Sequence, residues 1–350
     1  MKYNVSEIAE SYKIQYKFLD QFNNFQQYDL TLPKEQTLQM IFTFGIPTWL
    51  FDPYIDNEAN IKTRSLEIKK GLFVLNENTI EVDKSAVINY YAPAFCRPIA
   101  EMIVSSLADY GLDNRQNRIE MAMRFVQDIP YGIPKYEDKK RHYGGVSPPP
   151  RLLIEGFGDC DSKVILFVGI LVYLIPAEDI IFLNQNEHVL SAIKSEVNKG
   201  QTFITYNNST YLIAETSGPG MRLLGEKGNY FKNKFSVETL NTSIDDIIPI
   251  KQGNPNAMTD NSIAAVDARE LAISNKAQKS FSFQLSYDHV SWKQFKLEPL
   301  QTGRFNIEKQ QEVYLRIDGN KSGITNYRLQ PGIAYVVLYN NRKRSWEISF

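Results

Sequence analysis

Three residues in this chain have the types and order needed to attack a carbonyl through sulfur. Cys160 stands in Gly156-Phe157-Gly158-Asp159-Cys160-Asp161-Ser162-Lys163, directly ahead of the apolar run Val164-Ile165-Leu166-Phe167-Val168. The pattern reads as a glycine turn that sets a cysteine on the first turn of a buried helix. There the helix dipole and the unpaired N–H groups favour thiolate. His188 heads an alternating apolar segment that runs to Ile193, and Glu215 ends another, Tyr211-Leu212-Ile213-Ala214-Glu215. Nucleophile, base and orienting acid therefore follow one another along the chain, the layout of a thiol acyl-transfer site.

Each residue also has a plainer role. A cysteine before an apolar run is often a small buried hydrophobe, a histidine at a strand head can be a satisfied core residue, and a strand-end glutamate can simply face water. Asp159 and Asp161 flank the thiol and should raise its pKa, against the dipole. The choice of base is narrow, because the chain has three histidines. His142 lies in a polar loop and His289 in a strand-rich C-terminal region, which leaves His188. The oxyanion of the tetrahedral intermediate needs donors. The Cys160 N–H is one, and Gln127 is the candidate for the other, with a surface residue on an amphipathic helix as its competing reading.

The local words in their order resemble the transglutaminase-like branch of the papain-like thiol enzymes. The resemblance is carried by Phe125-Val126-Gln127-Asp128-Ile129-Pro130-Tyr131, Pro148-Pro149-Pro150-Arg151-Leu152-Leu153 and Gly158-Asp159-Cys160-Asp161-Ser162-Lys163. It continues through Glu187-His188, Tyr211 to Thr216, and Gly220-Met221-Arg222-Leu223-Leu224-Gly225-Glu226. It covers roughly residues 115 to 227 and departs at Glu215, where many members of the family carry Asp. The resemblance implies an α+β fold with a papain-like core, a nucleophile helix packed on an antiparallel sheet. It also implies a thioester on Cys160, His188 as base and Glu215 holding the imidazole through its Nδ1–H. Peptide or amide hydrolysis is the first expectation for the reaction. Transamidation, glutamine deamidation and an inactive binding scaffold of the same fold stay open.

Composition limits the remaining classes. The 350 residues are nearly balanced in charge, at a net of −1, and no basic block suggests nucleic acid. The longest apolar stretch, Val164 to Pro176, is too short to span a bilayer, and the N-terminus lacks an apolar signal core. A soluble cytoplasmic protein is expected, with no membrane partner. The two cysteines, Cys96 and Cys160, imply no disulfide framework. Neither they nor the scattered histidines have zinc-ligand spacing, and Gly144-Gly145 and Gly156-x-Gly158 lack the sequence context of phosphate loops, so no cofactor is expected.

Four regions are expected: a mainly helical N-terminal elaboration (1–110), the catalytic core (111–250), a turn-rich linker (251–280) and a small all-β domain (281–350). Over residues 1–45 the helix rests on Ile14, Phe18 and Phe22 at spacing four. Ile68 to Val74 reads as a short strand and Pro98 to Tyr110 as a helix. Asp113 or Asn114 can cap the next helix, which Pro130 stops, and 131–150 reads as a polar loop that shapes a cleft. Strands are expected at 180–183, 189–193, 203–206 and 211–214, with Asn207-Asn208-Ser209 as a hairpin turn. A short helix near Ala264 to Ala272 falls within the linker. The partners expected are a peptide or protein amide as substrate and a protein that docks on the C-terminal β domain.

Overall fold

The structure is a computed structural model. It describes the chain except residues 1, 22–24, 52–56, 77–78, 110–111, 187, 219–220, 229–230, 251–269, 300, 307–312, 321–322, 330–333, 341–343 and 350. The described residues are mixed α+β and fall into two compact units, one running to Ile250 and the other from Glu270.

The first unit opens with an antiparallel meander of β1 (Lys2–Ile8), β2 (Ser11–Leu19) and β3 (Phe25–Pro33). This corrects the helix expected over residues 1–45, where helix α1 occupies only Lys34–Thr43. The spacing of four between Ile14 and Phe18 also fits a strand, because Tyr16 lies between them. Residues 12–18 alternate apolar and polar, and Ile14, Tyr16 and Phe18 are all buried on one face. Phe22 lies outside the described residues. Register places Ile14 between Val5 and Leu30, and Tyr16 opposite Tyr28.

The chain then forms β4 (Ile46–Pro47), α2 (Glu58–Lys70), the hairpin β5 (Phe73–Asn76) and β6 (Thr79–Val82), and α3 (Lys84–Tyr91). Ile68 is thus the end of a helix, and the strand expected at 68–74 begins only at Phe73. A π-helical turn at Ala92–Cys96 leads into α4 (Arg97–Asp109), followed by α5 (Arg115–Asp128). The expected loop 131–150 contains a small hairpin, β7 (Glu137–Asp138) and β8 (Arg141–His142), which pairs with β4. Helix α6 (Pro149–Glu155) ends at Gly156, whose φ of +69° suits glycine. Next comes α7 (Cys160–Leu171).

A five-stranded antiparallel sheet completes the unit. Its strands are β9 (Ile180–Gln185), β10 (His188–Lys194), β11 (Phe203–Tyr206), β12 (Ser209–Ala214) and β13 (Ser236–Thr239), in the order β11-β12-β10-β9-β13. Asn207 and Asn208 turn between β11 and β12 with φ of 45° and 59°, the left-handed pair of a tight hairpin.

Helix starts follow local chemistry. Asn57, Asp83, Asn114 and Asp159 precede α2, α3, α5 and α7, and their side chains accept N–H groups of Asn60, Ala86, Asn117 and Ser162. Val164 through Leu171 of α7 are buried on every side, because α3, α4, α5 and β10 all pack against that helix. On the sheet, Ile181, Leu183, Leu190, Ala192, Tyr211 and Ile213 form one cluster with Phe231, Phe235 and Val237. The N-terminal meander is tied to α5 by aromatic packing, with Tyr16 and Phe18 each 5.5 Å from the Phe125 ring centroid. The Tyr16 hydroxyl donates to the Leu153 carbonyl of α6. No helix among the described residues is long and apolar enough to cross a membrane.

The second unit is a β-sandwich. One sheet has β14 (Glu270–Asn275), β17 (Thr302–Asn306), β20 (Ala334–Asn340) and β21 (Ser345–Ser349). The other has β15 (Phe281–Ser286), β16 (Lys293–Leu297), β18 (Val313–Asn320) and β19 (Gly323–Leu329). Leu271, Ile273 and Val337 from the first sheet share a core with Phe281, Phe283, Leu315 and Ile317 from the second. Residues 270–272 are strand, which corrects the helix expected to reach Ala272. That strand is an inner member of its sheet, pairing with β17 and β20, so the β unit begins within the span assigned to the linker. Residues 251–269 lie outside the described residues.

Candidate active site

Cys160 is the first residue of α7 and is 7% exposed. The Asp159 carboxylate accepts the Ser162 N–H at 3.0 Å and its hydroxyl at 2.5 Å. Ser162 in turn accepts the backbone N–H of Ser147 at 2.8 Å, which fastens the helix start to the segment before α6. The bridge between Tyr131 and Gly158 fixes the approach to the nucleophile from the other side.

His188 is the first residue of β10, and Glu215 follows the last residue of β12. These strands pair antiparallel with Ser191 beside Ala214, which brings the two side chains together. His188 Nε2 lies 2.9 Å from Glu215 Oε2, and both residues are buried. The other carboxylate oxygen accepts the Ser217 N–H at 2.9 Å. Burial alone would raise the Glu215 carboxyl, but the hydrogen bond and charge of His188 and the Ser217 N–H outweigh it. The carboxyl is held below its ordinary range and is ionised at neutral pH. An ionised carboxylate only accepts, so Nε2 carries the proton and Nδ1 is the basic nitrogen. This reverses the expected contact through Nδ1–H. Gly228 allows the packing, since a Cβ there would meet Glu215 Oε2 at 2.8 Å.

Helix α7 packs on β10, and the Cys160 sulfur accepts the N–H of Val189, the residue after His188. The nucleophile thus meets the strand one residue beyond the candidate base. The thiol also donates to Asp161 Oδ2 at 3.4 Å. Burial, then the Asp161 charge, pushes the thiol up to about 12, with Asp159 adding to the rise and the Val189 N–H opposing it. The resting form is therefore thiol, not the activated thiolate expected from the helix dipole alone. Asp159 is itself pushed up to about 6 by burial, against the two donations from Ser162. Replacing Asp161 by asparagine removes the largest nearby charge. Iodoacetamide should then label Cys160 faster at pH 7, by about tenfold per unit of lowered thiol pKa. An unchanged rate would show that desolvation alone sets the thiol.

Gln127 does not serve as an oxyanion donor, which corrects that expectation. Its side chain is buried, and Nε2 donates to the carbonyls of Glu215 at 2.7 Å and Arg222 at 3.0 Å. Its Oε1 accepts the Arg222 N–H at 3.1 Å. Both amide hydrogens are committed to holding the Glu215 segment against α5. Sequence reasoning also passed over Lys163, which is fully buried three residues after the nucleophile. Its ammonium donates to the Ile129 carbonyl at 2.7 Å and the Gln127 carbonyl at 3.3 Å, at the C-terminal end of α5 where a cation suits the dipole. Burial pushes it down to about 8, while Glu215 and Asp128 oppose that fall. A lone lysine at the head of an apolar helix was the available signal.

His142 is half-buried, 3.4 Å from Glu137, and His289 belongs to the sandwich unit. Among the described residues, Asp159, Cys160 and Asp161 offer ligand atoms within 4.8 Å of one another. Asp159 is engaged in capping α7, and Asp161 accepts the thiol proton. Comparisons with protein-family models, curated proteins and solved structures gave no match to this chain.

Proposed function

We propose that this protein is a thiol acyl-transfer enzyme with a papain-like, transglutaminase-like core, and that it cleaves an amide through a thioester on Cys160. The observation that carries this reading is the buried His188–Glu215 pair, with the next residue on the His188 strand, Val189, donating its N–H to the sulfur of a cysteine on the first turn of a buried helix. The sulfur attacks the carbonyl carbon while its proton passes to His188 Nδ1. The resulting imidazolium is stabilised by Glu215 and then protonates the departing amine. The Cys160 N–H, one of the amides at the start of α7 without an intrahelical partner, supports the oxyanion. Water, deprotonated by the same imidazole, releases the acid and restores the thiol. An amine entering in place of water would give transamidation, and a glutamine side chain as acyl donor would give deamidation.

One observation favours a binding scaffold instead: the thiol is nearly buried and held in its neutral form. Mass spectrometry after incubation with a panel of activated esters and peptide amides separates the two. A thioester on Cys160, absent from Cys160→Ala, is the expected result. A folded, reduced protein that forms no adduct across the panel would leave the scaffold reading standing.

A further inference from the structure

A cleft of about 970 Å³ lies beside the candidate nucleophile. It is bounded by the β5–β6 hairpin, the start of α3, residues 144 and 146, and the edge strand β13. Asp161 and Ile165 of α7 also line it, and Asp161 is in contact with the Cys160 sulfur. The cleft therefore reaches the residue next to Cys160, whose carboxylate touches the reacting sulfur.

Its charge is one-sided. Four carboxylates line it, those of Glu81, Asp83, Asp161 and Glu238, against one amine, Lys84. Lys84 is already spent on Glu238, at 2.6 Å, and Asn184 Nδ2 donates to the same carboxylate oxygen at 2.8 Å. Asp83 caps α3. Asp161 and the exposed Glu81 carry the surplus negative charge. Phe73, Val82 and Ile165 supply an apolar strip of wall among polar neighbours such as Asn76, Ser236 and Thr239. Asn184 adds an independent sign of a missing donor. Its Oδ1 is buried and has no hydrogen-bond partner among the described residues, an acceptor that a substrate N–H would satisfy.

We propose that this cleft selects a substrate bearing a lysine or arginine side chain next to the amide that Cys160 attacks. An aliphatic stem lies along the strip of Phe73, Val82 and Ile165, and the cationic head reaches the carboxylates and the Asn184 oxygen. A cleft whose charges are of one sign concentrates such a group and repels an acidic one. The inference rests on the thiol acyl-transfer reading and names its substrate class.

The test uses the full chain and three peptidyl chloromethyl ketones that differ only in the residue next to the warhead: lysine, norleucine or glutamate. The second-order rate of Cys160 modification is read by mass spectrometry. Lysine should exceed norleucine by about tenfold, with glutamate slowest, and the differences should shrink in 1 M salt as charges are screened. Glu81→Gln should lower the lysine-to-norleucine ratio at least threefold, and Glu81→Lys should lower it further. Glu81 is exposed on a hairpin, and a cooperative melt of each variant checks its fold. Equal rates for the three probes on Cys160, or a ratio unmoved in both variants, overturn the proposal while leaving acyl transfer intact. Failure of every probe to label Cys160 in preference to Cys96 overturns the acyl-transfer reading and the substrate class with it.

Discussion

Replacing His188 by alanine is expected to slow thioester formation on Cys160 by about a hundred- to ten-thousandfold at pH 7. A thiol pushed up to about 12 is ionised at pH 7 in on the order of one molecule in 10⁵. Attack then requires a base that removes the proton as the bond forms, and such groups contribute about 10²- to 10⁴-fold. The sign of the pH dependence separates this from a misfolded variant. Without His188 the acylation rate should follow the thiolate fraction and climb about tenfold per pH unit toward pH 10. The wild-type rate should rise less steeply over the same range, because the imidazole takes the thiol proton directly. Glu215→Gln should fall between the two. Glutamine keeps one acceptor, whereas the carboxylate accepts both the imidazole N–H and the Ser217 N–H, so one of those contacts becomes donor against donor. Single-turnover acylation by an activated ester, read by mass spectrometry across pH, measures all three proteins. A His188→Ala variant that acylates at the wild-type rate would remove the imidazole from the mechanism.

The parts of this chain that were legible before folding are those whose signal is local. Asn114 was readable as a cap because its side chain satisfies an N–H three residues on, and it does so in the structure. Asn207-Asn208 was readable as a turn because asparagine tolerates left-handed backbone. The start of α7 was legible for the same reason, since Asp159 caps it from the preceding position. The N-terminal meander was misread because two anchors four apart satisfy both periodicities, and the alternation through Tyr12, Ile14, Tyr16 and Phe18 decides for strand. Gln127 was placed near the site correctly in sequence and wrongly in chemistry. Nothing local says that its two amide hydrogens go to carbonyls 88 and 95 residues away. The carboxylate walls of the cleft come from segments as distant as Glu81 and Glu238. Their convergence is set by the packing of β13 against β9, a long-range pairing that no window of sequence contains.

Arg118→Met should destabilise the first unit by about 3–5 kcal/mol, the cost of breaking a buried ion pair by removing one member. Arg118 and Asp113 are each 1% exposed at their side chains, and the guanidinium meets both oxygens of the carboxylate, with Nη2 to Oδ2 at 2.8 Å. The remaining donors reach the carbonyls of Ile248 at 2.6 Å and Pro249 at 2.8 Å. One side chain on α5 therefore secures the loop before its own helix and the segment about 130 residues later, the last described stretch of the first unit. Methionine fills much of the volume but donates nothing, so Asp113 and two carbonyls lose the guanidinium together. Urea denaturation followed by aromatic fluorescence should show the transition of this unit at lower denaturant. The paired variant Arg118→Met with Asp113→Leu should recover part of the loss by removing the stranded charge. If the single variant unfolds at the wild-type midpoint, water reaches this pair in solution and the segment at 248–249 is not held by it. If the double variant is worse than the single one by the full cost of a buried leucine, the loss in the single variant came from packing rather than from charge. Recovery in the double variant is the expected outcome, because the double variant also removes the buried carboxylate charge that the guanidinium balanced.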